Sequence, residues 1–186
     1  MDQQKRERLI EIIREKSYRE GDFTLVSGKK SKFYIDMKAT TLHPEGAKLL
    51  GELAVELLQS TGMGIDAVGG LTLGADPIAT SVSLAAFNQG IHWPAFIVRK
   101  ESKGHGTGKY IEGTENLKQG ARCVVLEDVV TTGQSSIAAV ERLRCEGYHP
   151  VAIFTVVDRE QGGEEGASRM GLKLFSLFKL SEIQKK

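Results

Sequence analysis

From Cys123 to Ser136 the chain reads Cys-Val-Val-Leu-Glu-Asp-Val-Val-Thr-Thr-Gly-Gln-Ser-Ser, and this run restricts the fold more than any other. Four consecutive apolar residues, Cys123 to Leu126, suit a strand covered on both faces, as inside a parallel sheet. The strand is predicted over Arg122 to Leu126, ending at the adjacent acids Glu127 and Asp128. Thr131-Thr132-Gly133-Gln134-Ser135-Ser136 then opens a helix predicted over Ser135 to Glu146, with Ile137, Val140 and Leu143 inward and Gly147 just past its end. Free N–H groups at a helix start, flanked by hydroxyls, form a cradle for a phosphate dianion. Two carboxylates one step earlier would repel that phosphate. They suit vicinal hydroxyls instead, so the segment reads as a grip for a ribose 5-phosphate.

Other elements follow the same alternation. An amphipathic helix carries Leu9, Ile10, Ile12 and Ile13, and another spans Pro44 to Gln59 with Leu50, Leu53, Ala54, Leu57 and Leu58 on one face. Strands are predicted at Ile65 to Gly69, Ala95 to Val98, Val151 to Val157 and Leu172 to Leu177, with a helix of small residues at Pro77 to Asn88. Strands alternating with helices imply an α/β fold, a parallel sheet with helices on both faces. Ligands in such sheets bind outside the carboxyl ends of the strands. Gly69 to Gly74, Glu127 to Gly133 and Asp158-Arg159 each follow a predicted strand, so they converge on one edge of the sheet.

Glu127-Asp128-Val129-Val130-Thr131-Thr132-Gly133 resembles the phosphoribosyl-diphosphate motif of the type I phosphoribosyltransferases. A second segment, Arg99-Lys100-Glu101-Ser102-Lys103-Gly104-His105-Gly106, is similar to the catalytic loop of the orotate-specific branch. Four glycines between Gly104 and Gly113 oppose a stable helix and predict a mobile loop. Its cations Arg99, Lys100, Lys103, His105 and Lys109 suit a reaction that expels pyrophosphate. Phe23 to Asp36 resembles the hood over the base site in the same enzymes, where Phe33 and Tyr34 would wall a planar pyrimidine. Val156-Val157-Asp158-Arg159 places an arginine where the family contacts the orotate carboxylate, and a planar guanidinium suits that partner.

The resemblance implies one phosphoribosyltransferase domain over 1–186, with a hood from about residues 20–40 plus the C-terminal segment. It implies transfer of ribose 5-phosphate from phosphoribosyl diphosphate to orotate, a step of pyrimidine nucleotide synthesis. Glu127, Asp128, Val129, Val130, Thr131, Thr132, Gly133, Gln134 and Ser135 would bind the phosphoribosyl group. Lys103 would meet leaving-group charge, helped by Arg99, Lys100 and His105, while Thr131, Arg159 and Tyr34 would face orotate. Magnesium would accompany the diphosphate, with no protein metal ligand, and a homodimer would share its active sites. Two positions depart from the family pattern: Val26 and Leu73 stand where many relatives carry lysine. They keep open a non-catalytic regulator that senses phosphoribosyl diphosphate; a phosphoribosyltransferase for another base is the nearer alternative.

Bulk properties narrow the partners. Twenty-five basic against twenty-four acidic residues leave a net charge of +1, without the basic bias that nucleic acid or an anionic membrane would require. Cys123 and Cys145 read as reduced thiols, and no CxxC or histidine cluster predicts zinc. The charged N-terminus lacks an apolar signal core and no run approaches membrane-spanning length, so a cytoplasmic protein is expected.

Overall fold

The computed structural model describes residues 1–24, 28, 30–101 and 109–184. Helix α1 (Gln3–Lys16) is capped by the Asp2 side chain, which accepts from the Lys5 N–H, and it buries Leu9, Ile12 and Ile13. Strands β1 (Tyr18–Thr24) and β2 (Lys30–Ile35) form a separate antiparallel pair. One turn, α2 (Lys38–Thr41), leads to α3 (Pro44–Ser60), whose proline occupies the first turn, where the missing N–H costs nothing.

The main sheet holds β3 (Ala67–Leu71), β4 (Ala95–Val98), β5 (Ile111–Glu112), β6 (Arg122–Val130), β7 (His149–Asp158) and β8 (Leu174–Lys179). Their order is β5-β4-β3-β6-β7-β8. Every neighbouring pair is parallel except β4–β5, so the expected parallel sheet carries a two-residue antiparallel edge. Helices α4 (Asp76–Phe87), α5 (Gln134–Cys145), α6 (Gly163–Arg169) and α7 (Leu180–Gln184) complete the fold.

The apolar run of β6 divides between the two faces. Val124 and Leu126 join Leu50, Leu53, Ile78, Val82 and Phe154 beneath α1, α3 and α4. Cys123 and Val125 join Ala139, Val140, Leu143 and Ile153 beneath α5. That two-sided cover explains why the strand shows no polar alternation. It also runs four residues beyond its predicted end. Glu127, Val129 and Val130 still pair with Thr155, Val157 and Asp158, so both acids belong to the strand rather than to the turn.

Candidate active site

Because β3, β6 and β7 are parallel, their carboxyl ends arrive together, and Val130 lies beside Asp158. The chain leaves β6 through Thr131 and Thr132 and turns at Gly133, whose φ of 82° suits a residue without Cβ, before α5 begins. Glu127 and Val129 to Ser136 enclose a 160 Å³ cavity at the helix start. The first N–H groups of any helix lack an intrahelical acceptor, so this small polar cup suits one phosphate. Gln134 and Ser135 are exposed, whereas Ser136 is buried, and its hydroxyl donates to Glu127 Oε2 at 3.2 Å. The turn that forms the cradle therefore also orients the first acid.

Glu127 is only 8% exposed, and its pKa rises to about 8. Burial is the main cause and the Asp128 charge adds to it, while Ser136 and nearby Lys100 partly offset both. In the unfolded chain the same group ionises near 4.5. Between those values folding takes up a proton, so this carboxyl lowers stability progressively as pH rises through the window and by a constant amount above it. The unfolding free energy should thus fall with pH between about 4.5 and 8, by up to roughly 1.4 kcal/mol per pH unit. Urea unfolding at several pH values, wild type against Glu127→Gln, checks this. Parallel curves for the two proteins would remove Glu127 as the cause.

Asp128 is half-buried, and its Oδ1 accepts from the Val129 N–H at 2.9 Å. The β3–α4 turn packs against it: a Cβ on Gly74 would stand 2.7 Å from Asp128 Oδ1. Lys38, at the start of α2, approaches from the β2 side and holds Asp36 at 3.2 Å. Burial draws its pKa down, but the Asp36 hydrogen bond and the Asp128 charge outweigh burial, and the net shift is upward.

Arg159 follows β7 directly, and its N–H donates to the Val130 carbonyl at 2.9 Å. The guanidinium lies 5.0 Å above the Phe33 ring. Burial lowers its pKa, and Nε is buried without a hydrogen-bond partner among the described residues. Such a group presents a planar donor edge to an anion. Tyr34 projects from the other face of β2, is 45% exposed and packs against Phe23 at 5.6 Å. Phe33, rather than Tyr34, is therefore the aromatic beside Arg159.

A 420 Å³ cleft on the β4 side is lined by Thr72, Asp76, Ile97, Arg99, Lys100, Glu101 and Glu112. Arg99 bonds Glu112 at 3.0 Å, and Thr72 donates to Asp76 Oδ2 at 2.7 Å. Asp76 Oδ1 is buried with no partner among the described residues. Lys103, His105 and Val26 lie outside the described residues, while Leu73 is 67% exposed in the β3–α4 turn. A larger cavity of 640 Å³ lies between α3 and α4. Its charges satisfy one another, Lys5 and Lys48 both binding Glu52 at 2.8 Å, so size does not mark the reactive site here.

The phosphoribosyl transferase domain model matches residues 37–171. The orotate phosphoribosyltransferase of Nostoc sp. is 49% identical over 181 residues, covering 97% of this chain and 86% of that protein. The chain belongs to the orotate phosphoribosyltransferase family. The Synechocystis sp. orotate phosphoribosyltransferase is 47% identical across 97% of this chain and 89% of its own length. A Mycobacterium tuberculosis orotate phosphoribosyltransferase crystallised with 5-phospho-α-D-ribosyl 1-diphosphate superposes with a TM-score of 0.81 at 36% identity, covering 97% of this chain and 99% of that one.

Within this family member, three site neighbours escaped the motif reading. Ser136 was legible only as one more turn hydroxyl, although its burial turns it toward Glu127. Lys38 lies ninety positions from Asp128 in sequence, and only the fold brings it close. Asp76 follows Gly74-Ala75 in the β3–α4 turn, and only the fold shows its Oδ1 buried without a partner among the described residues. Among the described residues no helix is long and apolar enough to cross a membrane.

Proposed function

We infer that the protein catalyses phosphoribosyl transfer to orotate, giving orotidine 5′-monophosphate and pyrophosphate. The observation that carries this reading is the convergence of the phosphate cup, the Glu127-Asp128 pair and the Arg159 guanidinium at adjoining strand ends. In the proposed arrangement α5 takes the 5′-phosphate on its free N–H groups, with Thr131, Thr132 and Ser135 hydroxyls beside it. Glu127 and Asp128 accept from the ribose hydroxyls. As the bond from the anomeric carbon to pyrophosphate lengthens, the sugar ring gains oxocarbenium character, and the adjacent carboxylate charge stabilises it. Arg159 pairs with the orotate carboxylate over Phe33, and Thr131 faces the base. Orotate enters deprotonated, so the protein supplies no general base. Catalysis then rests on orientation and charge, with Arg99, Lys100, Lys103 and His105 meeting the departing pyrophosphate.

Magnesium belongs to this reading as a companion of the diphosphate, where it neutralises phosphate charge. The acid pair and the orphaned Asp76 Oδ1 fit it as acceptors for its bound waters. A homodimer also belongs to the reading. Thr80, Leu84 and Phe87 recur at helical spacing along the outside of α4, with Leu73 just before it, and Leu84 and Phe87 are 61% and 69% exposed. Two large apolar side chains left open on one helix suit a second copy of the chain. Sedimentation should return twice the chain mass of 20.3 kDa. Near-neutral charge, cysteines that read as reduced thiols and the pyrimidine reaction support a cytoplasmic location.

The deciding experiment follows orotate absorbance with purified protein, phosphoribosyl diphosphate and magnesium, beside uracil, hypoxanthine, adenine and xanthine. Consumption of orotate alone is expected. Turnover of another base would reassign the specificity. Saturable binding of phosphoribosyl diphosphate without turnover of any base would favour the sensing regulator.

A further inference from the structure

Arg99 and Lys100, assigned above to the leaving group, leave β4, and Tyr110 leads back into β5; these two stems are held from one side. Strands β4 and β5 pair through Ile97–Glu112 and Val98–Ile111, and the Arg99 N–H donates to the Tyr110 carbonyl at 2.8 Å. Beyond that point, among the described residues, the carbonyls of Arg99 and Lys100 take a donor from outside the sheet. Arg142 of α5 is that donor. Its guanidinium donates through Nη1 to the Arg99 carbonyl and through Nη2 to the Lys100 carbonyl at 2.8 Å. Its plane also lies 4.6 Å from the centre of the Tyr110 ring on the returning stem. One helical turn later, Glu146 accepts from the Tyr110 N–H at 2.9 Å. Residues four apart share a helix face, so α5 and its C-cap residue Glu146 grip both stems with one edge.

We infer that Arg142 is a positioning residue for the transfer reaction: it fixes Arg99 and Lys100 relative to the phosphate cradle. The inference rests on the orotate phosphoribosyltransferase reading given above. Helix α5 starts at the cradle and carries Arg142 two turns further on, so one rod spaces the 5′-phosphate from the cations of the leaving-group side. The two carbonyls need a planar fork, which a lysine cannot provide, and the same plane stacks on Tyr110. The nearby Arg144 points elsewhere and donates to the Met170 carbonyl, so it offers an internal control.

The test is a kinetic cycle with Arg142→Ala, Lys100→Ala and the double variant, alongside Arg142→Lys and Arg144→Ala. Arg142→Ala should lower kcat/KM for phosphoribosyl diphosphate by about tenfold to hundredfold, the usual penalty for misplacing a reacting group by about 1 Å. Arg142→Lys should recover only part of that loss, and Arg144→Ala should turn over like wild type. If Arg142 acts through the stem, its loss costs much less once Lys100 is already alanine. Losses that multiply, or an Arg142→Ala protein with wild-type kinetics, would overturn the inference. Should Arg142→Ala not fold, Arg142→Lys and Glu146→Gln enter the same cycle. An inactive wild type would instead sink the activity itself, which separates the two failures.

Discussion

Glu127→Gln combined with Asp128→Asn is expected to cut kcat/KM by about a thousandfold, near 4 kcal/mol of transition-state stabilisation, in a protein that still folds. The reasoning starts from shape. Both amides match their acids in size, the Ser136 hydroxyl keeps an oxygen to bond, and the Val129 N–H keeps its acceptor. Charge is removed. Near neutral pH it is chiefly that of Asp128, because burial holds Glu127 toward its neutral form; in an assay run above about pH 8 it is that of both acids. Hydroxyl recognition partly survives, because an amide oxygen still accepts. What fails is attraction for a ring that becomes positive as pyrophosphate leaves, so the loss should fall more on kcat than on KM. Folding should not suffer, since Glu127 is already pushed toward its neutral form by burial. A double variant with near wild-type kcat would show that the carboxylate charge plays no part in the reaction.

Arg159→Ala should act on the other substrate. A guanidinium held over Phe33 with a buried, unmatched Nε waits for an acceptor that the described protein residues do not supply. Charge-assisted hydrogen bonds to a carboxylate contribute about 1.5–3 kcal/mol each, so removing a paired contact should lower kcat/KM for orotate by roughly a hundredfold or more. Binding of phosphoribosyl diphosphate, measured alone by calorimetry, should change little. Thermal stability should not fall, because a buried donor without a partner costs the free protein energy. If orotate kinetics survive the substitution, the carboxylate contact must be reassigned.

Much of this was legible in the sequence because the decisive features are local. A run of four apolar residues, a pair of acids and a Thr-Thr-Gly turn settle strand, edge and helix start through chemistry within fifteen positions. The same locality explains the errors. Helical and strand periodicity placed α4 and β4 well, yet β6 ended too early. Charged residues read as a strand terminus until neighbouring β7 is known to keep pairing through Asp158. The antiparallel β5 escaped notice because two residues carry no period. Helix α6, built on Gly-Glu-Glu-Gly-Ala-Ser-Arg, has no apolar stripe to announce it. Tyr34 and Phe33 are adjacent, and only the strand pleat tells which of them meets Arg159. Ser136, Lys38 and Arg142 act on partners that the fold brings near, so motif reading alone cannot assign them.

A phosphate held by main-chain N–H groups has a genetic consequence. Gln134 turns its side chain to solvent, while the donor it contributes belongs to every amino acid except proline. Most codon changes at this position would therefore leave the grip intact. Gly133 has no such latitude, because its left-handed backbone excludes almost every side chain. Tolerance of mutation in this enzyme would then be uneven within a single turn: broad where the backbone does the binding, and narrow at the glycine that aims it.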